Sequence, residues 1–131
     1  MIIRTLDGIA DTERDVRGDG WRSRRILLRA DGMGHSLHWT EVPAGSEQPL
    51  WYKSHLEANL CIAGTGEVLD VATGEVHPIA PGTLYALDQH DRHVLRAHTD
   101  LTLVCVFTPA LTGRETHDAD GSYEPAGWPA E

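Results

Sequence analysis

The sequence predicts an all-β chain closed into a sandwich or barrel. Three observations carry this. Between Trp21 and Thr108, runs rich in β-forming residues recur at short intervals. Gly and Pro punctuate them, as at Thr73-Gly74 and Pro81-Gly82. Only residues 6–14 look mildly helical. Many short strands with such punctuation imply two packed layers or a closed barrel.

Taken in order, segment 24–29 is rich in β-formers, and 35–42 sets Leu37 and Trp39 against His38 and Thr40. Segments 58–63, 66–72, 75–79, 83–87 and 93–97 follow, and 101–108 (Leu-Thr-Leu-Val-Cys-Val-Phe-Thr) is the strongest. Thr73-Gly74 lies between two alternating runs and reads as a hairpin turn. Pro81-Gly82 reads as a second tight turn. After Thr108 the character changes, with Gly113, Gly121, Pro125, Gly127 and Pro129 in an irregular tail whose last residues are expected to be mobile. No linker or internal repeat interrupts the chain. The expectation is a single domain over 1–131, with a core barrel at about 21–108 and a C-terminal cover over 109–131.

At 131 residues the chain suits one domain and is short for two. It is large enough to fold without a disulfide or structural metal. Its 20 acidic and 11 basic residues leave a net charge of -9, which argues against nucleic acid as a partner. The basic run Arg22, Arg24, Arg25, Arg29 reads mostly as a solvated strand face. The opening Met-Ile-Ile-Arg-Thr-Leu-Asp-Gly has neither the apolar core nor the cleavage site of a signal peptide, and no apolar run is long enough to span a membrane. Cys61 and Cys105 sit inside apolar runs, as buried free thiols do, so a cytoplasmic location is expected.

Motif spacing narrows the fold. Gly45, five residues, Trp51-Tyr52-Lys53, three residues, Glu57, six residues and Gly64 reproduce the skeleton of the first cupin motif, which has His-x-His at Trp51 and Lys53. Pro81-Gly82 to Gln89 matches the second motif, with Tyr85 in place of a histidine and Gln89 in place of an asparagine. The prediction becomes a cupin-type jelly-roll β-barrel with short helical segments. Three of the four usual metal ligands are replaced, so the barrel either lacks a metal or holds one differently.

The altered set resembles the ectoine synthase family, a cupin branch. The resemblance rests on Trp51-Tyr52-Lys53-Ser54-His55-Leu56-Glu57, Gly64-Thr65-Gly66-Glu67-Val68, Leu87-Asp88-Gln89-His90-Asp91-Arg92-His93, Cys105 through His117, and Asp120-Gly121-Ser122-Tyr123. It runs from Met1 to Tyr123 without a large gap. It implies metal ligands Glu57, Tyr85 and His93, and iron, as Fe2+, as the metal. A carboxylate, a phenol and an imidazole suit iron, and three protein ligands leave positions open. Singly, Glu57 reads as a solvated glutamate, Tyr85 as a core aromatic and His93 as a loop histidine; together, at this spacing, they read as a site.

By the same resemblance Trp21, Arg25, Thr40, Cys105 and Phe107 bind the substrate, while Tyr52, His55, Glu115 and His117 are candidates for acid–base work. Arg25 has the fork that matches a carboxylate. Trp21 and Phe107 read equally well as core packing, and Cys105 as a small buried residue rather than a nucleophile. Ser54 and Trp51 stand where the family commonly has histidines. The implied reaction is closure of N-γ-acetyl-L-2,4-diaminobutyrate to the compatible solute ectoine, a hydro-lyase reaction, in a homodimer. Two rivals stay open at this point: a non-enzymatic cupin that binds or senses a small molecule, and an oxygen-dependent metal cupin. The Gly18-Asp19-Gly20 run is not read as a phosphate loop, for want of a strand before it and a helix after it.

Overall fold

The computed structural model describes residues 1–115 and 117–123. Ten strands follow one short helix: α1 (Leu6–Ile9), β1 (Asp15–Gly18), β2 (Trp21–Leu27), β3 (Ser36–Val42), β4 (Glu47–Leu50), β5 (Leu56–Ala63), β6 (Gly66–Asp70), β7 (Val76–Ile79), β8 (Leu84–Leu87), β9 (His93–Ala97) and β10 (Leu101–Thr108). They form an antiparallel six-stranded sheet, in the order β1-β2-β3-β10-β5-β8, and a four-stranded sheet, in the order β4-β9-β6-β7. Alternation along each strand turns one side chain in two toward a shared core. In β10 that sends Leu101, Leu103, Cys105 and Phe107 inward, where they meet Val68, Ile79 and Leu95 from the smaller sheet.

The turns form for the reasons their residues advertise. Gly74 has φ 76 in the β6–β7 hairpin, and its N–H bonds the Asp70 carbonyl at 2.8 Å. Gly82 has φ 92 behind Pro81, and Thr83 N–H closes that turn on the Ala80 carbonyl at 2.9 Å. Cys61 and Cys105 are both free and buried.

Several expectations need correction. The helix covers only Leu6–Ile9, capped by the Thr5 hydroxyl, because the chain leaves helical geometry at Ala10 (ψ 138) and turns away at Asp11 (φ 59). The strand expected at 24–29 is Trp21–Leu27, after which residues 29–31 form a 3-10 turn. Two strands gave no sequence signal. Both are edge strands: β1 is short and charged, and β4 contains Pro49, which an edge tolerates. Since β1 ends at Gly18, the Gly18-Asp19-Gly20 run does follow a strand; it is a hairpin turn into β2.

The tail begins as core rather than cover. Leu111 is fully buried, its N–H bonds Ser36 Oγ at 3.1 Å, and its carbonyl accepts from Arg29 N–H at 2.8 Å. Residues 124–131, where the loose end of the tail was expected, lie outside the described residues, as does Thr116. Among the described residues no helix is long and apolar enough to cross a membrane.

Candidate active site

Residues directly opposite in an antiparallel sheet share a face. Register therefore lays three rows across the inner face of the larger sheet. One runs Ser23, Thr40, Leu103, Cys61. The middle row runs Arg25, His38, Cys105, Asn59, Tyr85. The third runs Ser36, Phe107, Glu57, Leu87. The smaller sheet adds Leu50 opposite His93, and Gln48 opposite Leu95. The tail adds His117 and Tyr123. Between these walls lies a cavity of about 520 Å³, its solvent mouth included, lined by Trp21, Thr40, Tyr52, Glu57, Tyr85, Cys105, Phe107 and His117 among the predicted residues.

The three candidate metal ligands sit on different strands around one corner. Glu57 on β5 is buried, and burial raises its carboxyl pKa to about 8. The Asn59 amide beside it opposes that shift, though its Nδ2 is in hydrogen-bond geometry with no described group. Tyr85 on β8 is held well above the ordinary phenol range, first by burial and then by the Glu57 charge. His93 opens β9, its ring 6.4 Å from that of Tyr85. Its Nδ1 donates to the Asp91 carbonyl at 2.9 Å, which leaves Nε2 as the lone-pair nitrogen. Burial lowers the pKa of this imidazole, which favours its neutral form, and Nε2 has no partner among the described residues. A buried acceptor nitrogen with no donor, a carboxyl with no counter-charge and a phenol at the same corner make a donor set that fits a metal ion. No three His, Cys, Asp or Glu side chains converge among the described residues, so the phenol would have to be the third ligand.

A second group closes the mouth. Tyr52 Oη lies 2.8 Å from His117 Nε2. Burial raises the Tyr52 phenol and, with the Arg25 charge, lowers His117 to about 4. Both are therefore neutral near pH 7, and the phenol donates to the imidazole. Tyr123 stacks on His117, ring centroids 4.3 Å apart, and Trp21 meets His117 edge-on at 5.7 Å. The turn carrying His117 and Tyr123 is fastened to the segment after β4: Trp51 N–H bonds the Gly121 carbonyl at 3.2 Å, and Lys53 N–H bonds Ser122 Oγ at 3.0 Å.

Other predicted residues stand further back. Arg25 is 1% exposed and spends one N–H on the Gly113 carbonyl at 2.9 Å, while its Nε is unpartnered among the described residues. His55 is buried against Phe107 and Tyr123, with both ring nitrogens unpartnered among the described residues. Cys105 donates weakly to Thr40 Oγ1 at 3.5 Å, and burial raises its thiol, so it stays protonated. Both carboxylate oxygens of Glu115 are taken up by Thr112, Gly113 and Arg114, and these bonds lower its pKa despite burial. In this arrangement Glu115 organises the 112–114 turn rather than facing the cavity.

Two polar residues in the walls, His38 and Asn59, were not among the predicted site residues. His38 is buried, its Nε2 2.9 Å from Ser36 Oγ, and burial plus Arg25 lowers it to about 3. His38 is two residues before Thr40, and Asn59 two after Glu57, so strand alternation alone would have placed both inside. Tyr123, which also lines the cavity, lies in the tail that was expected to act as cover.

The ectoine synthase family matches residues 1–127. The L-ectoine synthase of Desulfosudis oleivorans is 59% identical over 125 residues, covering 95% of this chain and 97% of that protein. That of Sphingopyxis alaskensis is 55% identical, covering 94% of this chain and 90% of that protein. The crystal structure of ectoine synthase from P. lautus superposes with TM-score 0.86 at 50% identity, covering 96% of this chain and 90% of that one. A cupin 2 conserved barrel domain protein from Salinispora arenicola shares the fold alone, with TM-score 0.66 at 19% identity over 82% of this chain and 88% of that one. A cupin barrel with this inner face, matched along nearly its whole length, belongs to the ectoine synthase family of hydro-lyases.

Proposed function

We propose that the protein closes N-γ-acetyl-L-2,4-diaminobutyrate to ectoine with loss of water, using a ferrous ion held by Glu57, Tyr85 and His93. Family membership makes it an enzyme and sets aside the binding-module reading. The observation that carries the metal is the pair formed by His93 Nε2, unpartnered among the described residues, and the uncompensated Glu57 carboxyl, each of which neighbours Tyr85. When bound, the ion supplies Lewis acidity toward the amide carbonyl, a poor electrophile in its absence.

The remaining chemistry falls to the chain. The reaction joins an amine and a carbonyl of one molecule, so holding that molecule folded supplies much of the rate. Trp21, Phe107 and Tyr123 bound the apolar part of the cavity. Arg25 offers a buried positive charge for the substrate carboxylate, with no described carboxylate already paired to it. The α-ammonium must lose a proton before it attacks, and the carbonyl oxygen must gain two as it departs as water. Tyr52 Oη is positioned to donate a proton and His117 Nε2 to hold or return it. The test is to incubate iron-loaded protein with the acetylated diamino acid without oxygen and look for ectoine by chromatography. Folded, iron-bound protein that makes no more product than the metal-free control would refute the reading.

We also propose a homodimer, in which a second copy covers the outer face of β5 and β8. Leu56, Leu60, Ile62 and Leu84 are exposed there, at 40%, 40%, 38% and 62%, and Leu60 pairs directly with Leu84. Contiguous exposed apolar side chains of this kind mark association surfaces. A monomer by light scattering at micromolar concentration would remove this part.

A further inference from the structure

The Gly18-Asp19-Gly20 turn has no part in the chemistry above, yet it stands at the entrance to the cavity. Outside the central cavity lies a vestibule of about 1090 Å³, its open side included. Trp21, Gln48, Leu50, His117 and Tyr123 line both spaces, so they form the neck between them. Resting on the proposed reaction, we propose that Gly18 and Gln48 are positioning residues that seat the Trp21 indole as one wall of this neck, and so set how tightly substrate is held there.

Gly18 and Trp21 are register partners across β1 and β2, so they share a sheet face. A methyl at Gly18 would lie 2.2 Å, 2.3 Å and 2.5 Å from the indole atoms Cε2, Cζ2 and Nε1. Those distances are far inside van der Waals contact. Gly18 does not have a positive φ, so the position needs space rather than a left-handed backbone. The indole lies directly on bare backbone, and any side chain there would push it off. The turn cannot move away with the ring, because β4 holds it. Gln48 Nε2 donates to the Asp19 carbonyl at 2.9 Å, and Ser46 Oγ donates to the Gly20 carbonyl at 3.0 Å. Gln48 Nε2 also donates to Ser46 Oγ at 2.8 Å, which joins the two into one network. The segment after β4 fastens the 117–123 turn through Trp51 and Gly121. One edge strand and its continuation thus hold both sides of the neck, and Trp21 meets His117 across it.

The experiment measures KM, kcat and iron content of ferrous-loaded protein, without oxygen, on the acetylated diamino acid. Gly18→Ala should raise KM about tenfold, the low end of what losing an apolar pocket contact costs. His117 keeps its Tyr52 bond and its Tyr123 stack, so kcat should stay within about twofold, the pattern of a lost uniform-binding contact. Iron content should not change. Trp21→Leu should raise KM to a similar degree. Gly18→Ala/Trp21→Leu should be no worse than Trp21→Leu alone, since no indole remains for the methyl to displace. Gln48→Met removes the Nε2 donor at similar length and should also raise KM. Wild-type KM in Gly18→Ala, or costs that add in the double variant, would overturn the seat and leave the proposed reaction standing. If Gly18→Ala does not fold, wild-type KM in Gln48→Met would overturn it instead. Wild-type protein that makes no ectoine would overturn the reaction and the seat together.

Discussion

Tyr52 and His117 lie 65 positions apart in the chain, yet the Tyr52 phenol donates to His117 Nε2 at 2.8 Å. The contact exists because the 117–123 turn is pinned to the segment after β4. Replacing Tyr52 by Phe removes the donor and leaves the edge-on contact with Phe107 and the stack on Tyr123. Turnover should fall about a hundred-fold to ten-thousand-fold, the usual worth of a positioned acid or base. Bound iron should be unchanged. Steady-state kinetics and elemental analysis on the same sample check both halves.

The proposed ligands make the opposite pattern. His93→Ala, Glu57→Ala and Tyr85→Phe should each lose most of the bound iron along with activity. Circular dichroism should still show a β-rich fold. Full iron content in all three variants, by elemental analysis, would show that the metal binds elsewhere.

Much of this site was legible in the chain because strands and motifs leave local marks. The spacing from Gly45 to Gly64 located Glu57, and the β10 run placed Cys105 and Phe107 on one face. The hidden parts were those that depend on distant partners. That the Glu115 oxygens accept bonds from the turn it follows is one such part. The edge strands β1 and β4 are specified by what they pair with, and Pro49 argues locally against a strand.

Acid should unfold the protein through its buried histidines. Burial and then the Arg25 charge lower His38 to about 3 and His117 to about 4, both below the ordinary 6.5. Between those values and 6.5 the unfolded chain binds protons that the fold does not. Stability from this source is therefore complete above pH 6.5 and is lost as pH falls toward 4 and then 3. The slope approaches about 1.4 kcal/mol per pH unit for fully buried His38, and less for half-buried His117. Thermal melts of metal-free protein from pH 7 to pH 4 check this. In His38→Asn, which cannot titrate, the acid limb should be shallower.

The mouth can be perturbed separately from the barrel. Gly121 has φ 72, and a methyl there would lie 2.5 Å from the Pro49 carbonyl oxygen. Gly121→Ala therefore meets both an unfavourable backbone conformation and backbone that cannot move aside cheaply. The local cost is about 1–3 kcal/mol, and the turn can relieve it by lifting off β4. Lifting breaks the Trp51–Gly121 and Lys53–Ser122 bonds and carries His117 away from Tyr52. The barrel strands and the three proposed ligands lie before this turn in the chain, so iron content should hold. Activity should drop at least tenfold, with a higher KM as well as a lower kcat, since both the stacking wall and the proton donor's partner move. Kinetics paired with iron analysis and a thermal melt would show it. Wild-type kinetics in Gly121→Ala would mean that the turn does not shape the mouth, whatever its contacts suggest.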